Sequence, residues 1–212
     1  MLLLDHLTVI APTLSEGVTH VQDCLGIEVP YGGKHPEMGT HNHVIRLGDL
    51  AYLEIVSIDP EAEVPSGPRW FGFSDPAAVW ADWEAGRRLR GWVAHTDNLD
   101  ELLTRHGDLF GGQVRISRAG LYSQFSLLAD GRLPADGALP SVIDRGGRGQ
   151  PMERMEDHGI NLLRFTLTHP SPDEISALYE TVGIENAPTI IQGDEMRYSA
   201  LIQTPHGPKT LF

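Results

Sequence analysis

Two side chains define the chemistry open to this chain, the imidazole of His6 and the carboxylate of Glu54. His6 lies in the apolar run Leu2–Ile10 and Glu54 in Ala51–Ile58, and both runs read as β-strands. Side chains alternate along a strand, so Leu7 and Val9 take one face of the first run while His6, Thr8 and Ile10 take the other. In the second run Leu53 and Ile55 alternate with Tyr52, Glu54 and Val56. An imidazole and a carboxylate on one face are suitable donors for Zn, Fe, Mn or Ni when a second pair completes the shell. The same two groups without a metal make a buried, hydrogen-bonded Glu–His pair, and the two residue types alone do not separate these cases.

The neighbours of Glu54 follow from hairpin register. His43–Leu47 and Ala51–Ile58 read as two strands turning at Gly48-Asp49-Leu50. A three-residue loop pairs Leu47 with Ala51, and so Ile45 with Leu53. That register gathers Ile45, Leu47, Leu53 and Ile55 on one apolar face and leaves Asn42, Val44, Arg46, Tyr52 and Glu54 on the other. A slip of one residue would place His43 opposite Glu54 and mix the faces. Thr40 and Asn42 are candidates to hydrogen-bond a substrate carbonyl or carboxylate, or else to close their own loop. Parity favours the substrate role for Asn42. Arg46 shares its face and is a candidate to pair with Glu54 or hold an anionic substrate. His41 and His43 share the opposite face and read as structural or surface histidines. Residues 31–40, rich in Gly, Pro and His, read as a loop. His35 in it is either a side chain reaching over a cup mouth, as general base or substrate contact, or a surface histidine beside Pro36.

These residues need a scaffold, and the chain repeats one. Three times an apolar run is followed by a helix-like stretch ending in Gly and then by further apolar runs. The repeat is too long for a solenoid unit. It suits a βαβββ module that must pair with a copy of itself to bury its sheet. The modules fall at residues 1–58, 89–145 and 161–212, with a Pro- and Trp-rich connector at 59–88 that holds a short helix near 77–85. The expected fold class is α+β, repeated βαβββ modules whose mixed sheets curl into a cup. Three copies leave one over, which either sits against the pair or pairs across a homodimer.

Composition narrows the partners. The formal charge is −13 with no Lys or Arg run to offset it, so nucleic acid is an unfavourable partner. The apolar start carries Asp5 and His6 and no basic leader, reading as neither signal peptide nor membrane span. Cys24 is the single cysteine, flanked by Val21 and Leu25, and reads as a small core residue. A reducing cytoplasm is the default expectation. There is no Gly-rich phosphate loop and no Gly-x-Ser-x-Gly elbow.

Leu4-Asp5-His6-Leu7-Thr8-Val9 with Tyr52-Leu53-Glu54-Ile55 resembles the vicinal oxygen chelate superfamily, which includes glyoxalase I, extradiol dioxygenases and bleomycin-binding proteins. Gly32-Gly33-Lys34-His35-Pro36 and Gly39-Thr40-His41-Asn42, leading to Tyr52-Leu53-Glu54, resemble more specifically its glyoxalase-like domain family. The resemblance implies a glyoxalase/dioxygenase-like cup acting on a small oxygenated metabolite, as a lyase or dioxygenase, with a divalent metal or none. In it Glu54 or His35 would move a proton, His6 would ligate or orient, and a metal or Glu54 would stabilise an enolate. The resemblance equally covers a non-catalytic protein that sequesters a small molecule. Metal-bearing members take one ligand from the first strand and one from the last strand of each of two modules. Aligning Leu99 on Leu14 sets His6 on Gly91 and Ile10 on His95; aligning Gly183 on Gly26 sets His6 on Leu163 and Glu54 on Ser199 or Ala200. Neither later module offers a matching pair; His95 and Asp144 are the nearest substitutes, and His95 is also a candidate substrate contact.

Overall fold

The computed structural model describes residues 1–118 and 120–212. The first module runs β1 (Leu2–Ile10), α1 (Leu14–Leu25), β2 (Tyr31–His35), β3 (Thr40–Arg46) and β4 (Tyr52–Ile58). After α2 (Pro76–Glu84) come β5 (Leu89–His95), α3 (Leu99–Phe110), β6 (Gly112–Arg118), β7 (Leu121–Leu127) and β8 (Ser141–Asp144). The last stretch is β9 (Asn161–His169), α4 (Pro172–Val182), the two-residue β10 (Ile184–Glu185), β11 (Thr189–Gln192), β12 (Arg197–Thr204) and β13 (Gly207–Leu211).

The first two modules share one curled sheet in the order β2-β3-β4-β1-β5-β8-β7-β6, with β10 added beside the start of β1. They meet where β1 runs antiparallel to β5 and parallel to β4. The sheet curls until its two ends touch, where Ser117 of β6 donates a hydrogen bond to the Glu37 carboxylate in the β2–β3 turn. Apolar residues split by strand parity. Leu7, Val9, Ile45, Leu47, Leu53 and Ile55 pack under the helices, while Ile10, Val56, Val93, Phe125 and Ile143 line the inside of the curl. The expected hairpin register holds, with Ile45 opposite Leu53 and Val44 opposite Glu54.

The helices close the outer face. The Thr13 hydroxyl caps α1 by accepting from the Glu16 amide, and Gly26 ends the helix at φ 67°, the left-handed turn that glycine adopts without strain. α1 lies so close to the sheet that a Cβ on Gly17 would stand 2.5 Å from Ile55 Cγ2. The leftover module settles its own position: β11-β9-β12-β13 form a second sheet packed on the outer face of the first. Trp92 of β5 is the joint. Its indole N–H donates to the Tyr198 hydroxyl at 3.2 Å, which in turn donates to the Gly137 carbonyl at 2.8 Å.

One local expectation is corrected. Residues 31–40 are not a loop, because β2 pairs with β3 and only residues 36–39 turn. The glycines there give weak strand propensity, which pairing to β3 overrides. The helix of the second module kinks at His106, where the sequence places its end before Gly107, and a further turn runs on to the fully buried Phe110.

Candidate functional site

Inside the curl lies a cavity of about 400 Å³. His6, His35, Tyr52 and Glu54 form one wall, and Phe125, Ile143 and Arg145 of the second module form the other. Trp70 and Phe71 of the connector cover one side, edge-on to Phe125 at centroid distances of 5.0 and 5.9 Å.

The first wall is a chain of charged groups that begins at Asp5. By alternation Asp5 should face the helices, yet the β1–β5 register shifts between Leu4 and His6. This bulge makes Asp5 the extra residue and turns it toward the cup beside His6. Fully buried, Asp5 accepts from His6 Nδ1 at 2.6 Å and from both terminal nitrogens of Arg145, Nη2 at 2.9 Å. That bond fixes the ring so that Nε2 points at Glu54, 3.2 Å from Oε2. The contact is off the line of a hydrogen bond, and among the described residues Nε2 has no other partner. Tyr52 stacks on the ring at 4.4 Å. Asn42 Nδ2 donates to Glu54 Oε1, leaving its own Oδ1 buried and unpartnered.

Electrostatics follow from this packing. Burial alone would raise the Glu54 pKa, but the adjoining His6 imidazole, the nearby His35 ring and the bond from Asn42 bring it down to about 2. Burial alone would lower His6; the carboxylates of Asp5 and Glu54 on either side of the ring raise it instead. The floor therefore favours a protonated imidazole between two carboxylates. Burial lowers His35 to about 4, against the pull of Glu54 3.8 Å away, so at neutral pH it is an uncharged imidazole.

The structure brings together His6, Glu54, Asn42 and His35. His35 is not a loop residue over the mouth; it sits on the floor in β2, with Nδ1 against the Thr40 hydroxyl at 3.0 Å and Nε2 3.3 Å from Asn42 Nδ2. Thr40 is one step back and also accepts from the Trp70 indole at 3.2 Å. Arg46 leaves the cup: it donates to the Gly48 carbonyl at 2.9 Å and pairs with Asp49. His95 stands behind the wall, Nδ1 3.7 Å from Asp5 Oδ2, and is not a lining residue. Asp144 accepts from the Leu99 and Gly146 amides, serving the start of α3. The reading from sequence did not find Asp5 or Arg145. Nothing in the sequence marks the bulge. Arg145 was legible, since Ile143 faces the cup and alternation returns to that face two residues on.

A metal does not fit these donors. Among the described residues no three His, Cys, Asp or Glu side chains are grouped to hold one. His6, His35 and Glu54 share the first wall without forming such a group, and the second wall offers Phe125, Ile143 and the Arg145 cation rather than further donors.

Two βαβββ modules sharing one curled mixed sheet around a buried cup define a glyoxalase/dioxygenase-like fold. The chain matches the glyoxalase-like domain family over residues 4–183, and it belongs to that family within the vicinal oxygen chelate superfamily. Among solved structures it is similar to a hypothetical protein from Staphylococcus aureus, at 12% identity over 95% of this chain and 91% of that one, with a TM-score of 0.66. It is also similar to a methylmalonyl-CoA epimerase of Streptomyces coelicolor in complex with 2-nitronate-propionyl-CoA, at 17% identity over 71% of this chain and 100% of that one, TM-score 0.44. The methylmalonyl-CoA epimerase of Mycobacterium tuberculosis gives 16% identity, 66% of this chain, 86% of that one and a TM-score of 0.42. At such identities the likeness concerns the fold alone. No curated protein matches the chain in sequence.

Proposed function

We propose that the cup binds a small oxygenated metabolite and that Glu54 and His6 move a proton at the carbon beside its carbonyl. One observation supports this above the others: His6 Nε2 is buried, aimed at Glu54 from 3.2 Å and without a hydrogen-bond partner, while Asp5 holds the opposite ring nitrogen. A carbonyl oxygen entering the cup would take that N–H, and the positive imidazole would stabilise the charge that develops as the carbon loses its proton. Glu54 is the base. Its resting pKa of about 2 depends first on His6, so a substrate oxygen that draws the His6 proton leaves the carboxylate more basic. Because the donors do not close a metal shell, the transfer is assigned to the protein's own groups.

The test is hydrogen–deuterium exchange into small 2-oxo acids and hydroxyketones, followed by proton NMR in heavy water. Glu54→Gln should slow exchange by about 10²–10⁴-fold while the melting temperature shows the fold retained. Exchange that is indifferent to Glu54→Gln would refute the assignment. A second reading is that the cup sequesters its ligand without turnover. The low pKa of Glu54 favours it, since a carboxylate held by the Asn42 bond and the adjoining imidazole is a weak base. Compounds that raise the melting temperature yet never exchange would decide for that reading.

A further inference from the structure

We propose that the ligand carries an oxyanion, a carboxylate or phosphate, at the end away from the floor, clamped by Arg118, Arg148 and Arg154 at the mouth of the cup. This rests on the reading that the cup is where the substrate binds. The argument is one of charge placement. The chain has 16 Lys and Arg against 29 Asp and Glu, yet four arginines and one carboxylate line this cavity. The carboxylate is Glu54, already faced by His6. Arg145 is neutralised by Asp5. The other three are not: among the described residues none of them makes an ion pair. Arg148 donates only to neutral oxygens, the Tyr122 carbonyl and the Ser123 hydroxyl at 3.1 Å, which hold it at the mouth with its charge uncompensated.

They also come from different directions. Arg118 ends β6, while Arg148 and Arg154 lie on the segment after β8. Arg118 reaches far enough across that a Cβ on Gly32 would meet its Nη2 at 2.8 Å, and its charge helps depress His35. Three unpaired guanidinium groups gathered at the mouth of a cup on an acidic protein focus positive potential at one opening. Their planar forks match carboxylate or phosphate oxygens. Between mouth and floor the walls are Trp70, Phe125 and Ile143, which suit an apolar body. The ligand so described has an oxygenated reacting end, an apolar middle and an anionic tail.

The experiment is calorimetric titration of the full chain with benzoate, phenyl phosphate and uncharged benzyl alcohol at low and high salt. The proposal expects at least one anion to bind about tenfold or more tighter than the alcohol, with affinity falling as salt rises. Arg118→Gln with Arg154→Gln should remove that preference and leave the alcohol unaffected. Arg118→Lys with Arg154→Lys should restore part of it, which separates lost charge from lost folding. Benzoate and phenyl phosphate compared give the source of the oxyanion. Equal binding of the alcohol, no binding of either anion, or a preference that survives the double glutamine variant would overturn the clamp. Exchange into neutral ketones without anion binding refutes the clamp and leaves the acid–base reading. Anion preference with exchange indifferent to Glu54→Gln does the reverse.

Discussion

Asp5→Asn removes one charge from a fully buried position and nothing from its shape. Three donors converge there: His6 Nδ1 at 2.6 Å, Arg145 Nη2 at 2.9 Å and Arg145 Nη1. An amide presents one oxygen and one NH₂, so at least one of the three donors comes to face a donor. Arg145 then loses its only carboxylate, keeping the Gln150 oxygen at 3.2 Å. Removing one partner of a buried ion pair costs about 3–5 kcal/mol. The Arg145 side chain is 11% exposed and retains that one acceptor, which places the cost near the lower end, about 3 kcal/mol. For a chain of this length each kcal/mol moves the melting temperature by about 2–4 °C, so a fall of roughly 6–12 °C is expected.

The same change releases the ring of His6, because a carboxylate no longer fixes the proton on Nδ1. Exchange activity should therefore fall further than the loss of folded protein explains, in substrate-saturated assays at a temperature where the variant is fully folded. Urea unfolding supplies the free energy. The double variant Asp5→Asn with Arg145→Met should regain part of the stability, since it removes the stranded cation as well. A single-variant cost below about 1 kcal/mol would show the pair to be screened by solvent, and the account of the site as a charge chain anchored on Asp5 would be wrong.

Three further outcomes test other parts of the structure. Gly32→Ala would place a Cβ 2.4 Å from Asn42 Oδ1 at a position with no positive φ, so the amide must move off Glu54; a stability loss of about 1–3 kcal/mol is expected with loss of exchange, and unchanged exchange kinetics would refute the crowding. His35 is neutral in the fold down to about pH 4, whereas the unfolded chain takes up its proton near 6.5, so the fold loses stability as pH falls through that window. The loss should be about 2 kcal/mol by pH 5 and missing from His35→Gln; identical pH profiles in urea unfolding would count against a buried neutral imidazole. His6, raised rather than lowered, contributes with the opposite sign, its stabilisation being lost as pH rises above the ordinary histidine value. Tyr198→Phe strands the buried Trp92 N–H and should cost about 1–3 kcal/mol in unfolding experiments; a neutral result would mean that this bond does not join the two sheets.

Much of this was legible before any coordinates, and the reason is periodicity. The cup face of β1 and β4 follows from alternation alone once the three-residue turn at Gly48-Asp49-Leu50 fixes Ile45 opposite Leu53. What alternation misses is a place where it fails. The bulge at Asp5 puts two successive side chains, Asp5 and His6, on the same side, and no local residue type announces it. Long side chains escape parity differently. Arg46 has the right face but lies near the strand end, where the Gly48 carbonyl and Asp49 are nearer than the cup. His35 was hidden by composition: Gly32-Gly33 and Pro36 look like loop, and only pairing to β3 makes a strand of residues 31–35.

The two modules are alike in backbone and unlike in what they turn inward, and that asymmetry decides the chemistry. Where the first places His6 on its first strand, the second places Gly91 and Val93; where the first places Glu54 on its last strand, the second ends in Ile143 and Arg145. A metal site needs anionic or neutral donors converging from both walls. Here a donor wall faces an apolar wall, and the second module's charge at the floor is a cation directed at Asp5. Such a site polarises whatever lies between the walls. In the proposed function the imidazole takes an oxygen, Phe125 and Ile143 face an organic body, and Glu54 stands near a carbon beside that oxygen. The arrangement gives up metal coordination and gains a fixed dipole across the cup, so restoring a ligand at position 91, as in Gly91→His, should not by itself convert the site. That side chain would be directed into Leu133, whose Cδ2 already lies 3.3 Å from a Cβ built there. Stoichiometric zinc uptake by Gly91→His, measured by elemental analysis against the wild-type chain, would show instead that the second wall lacks only a donor.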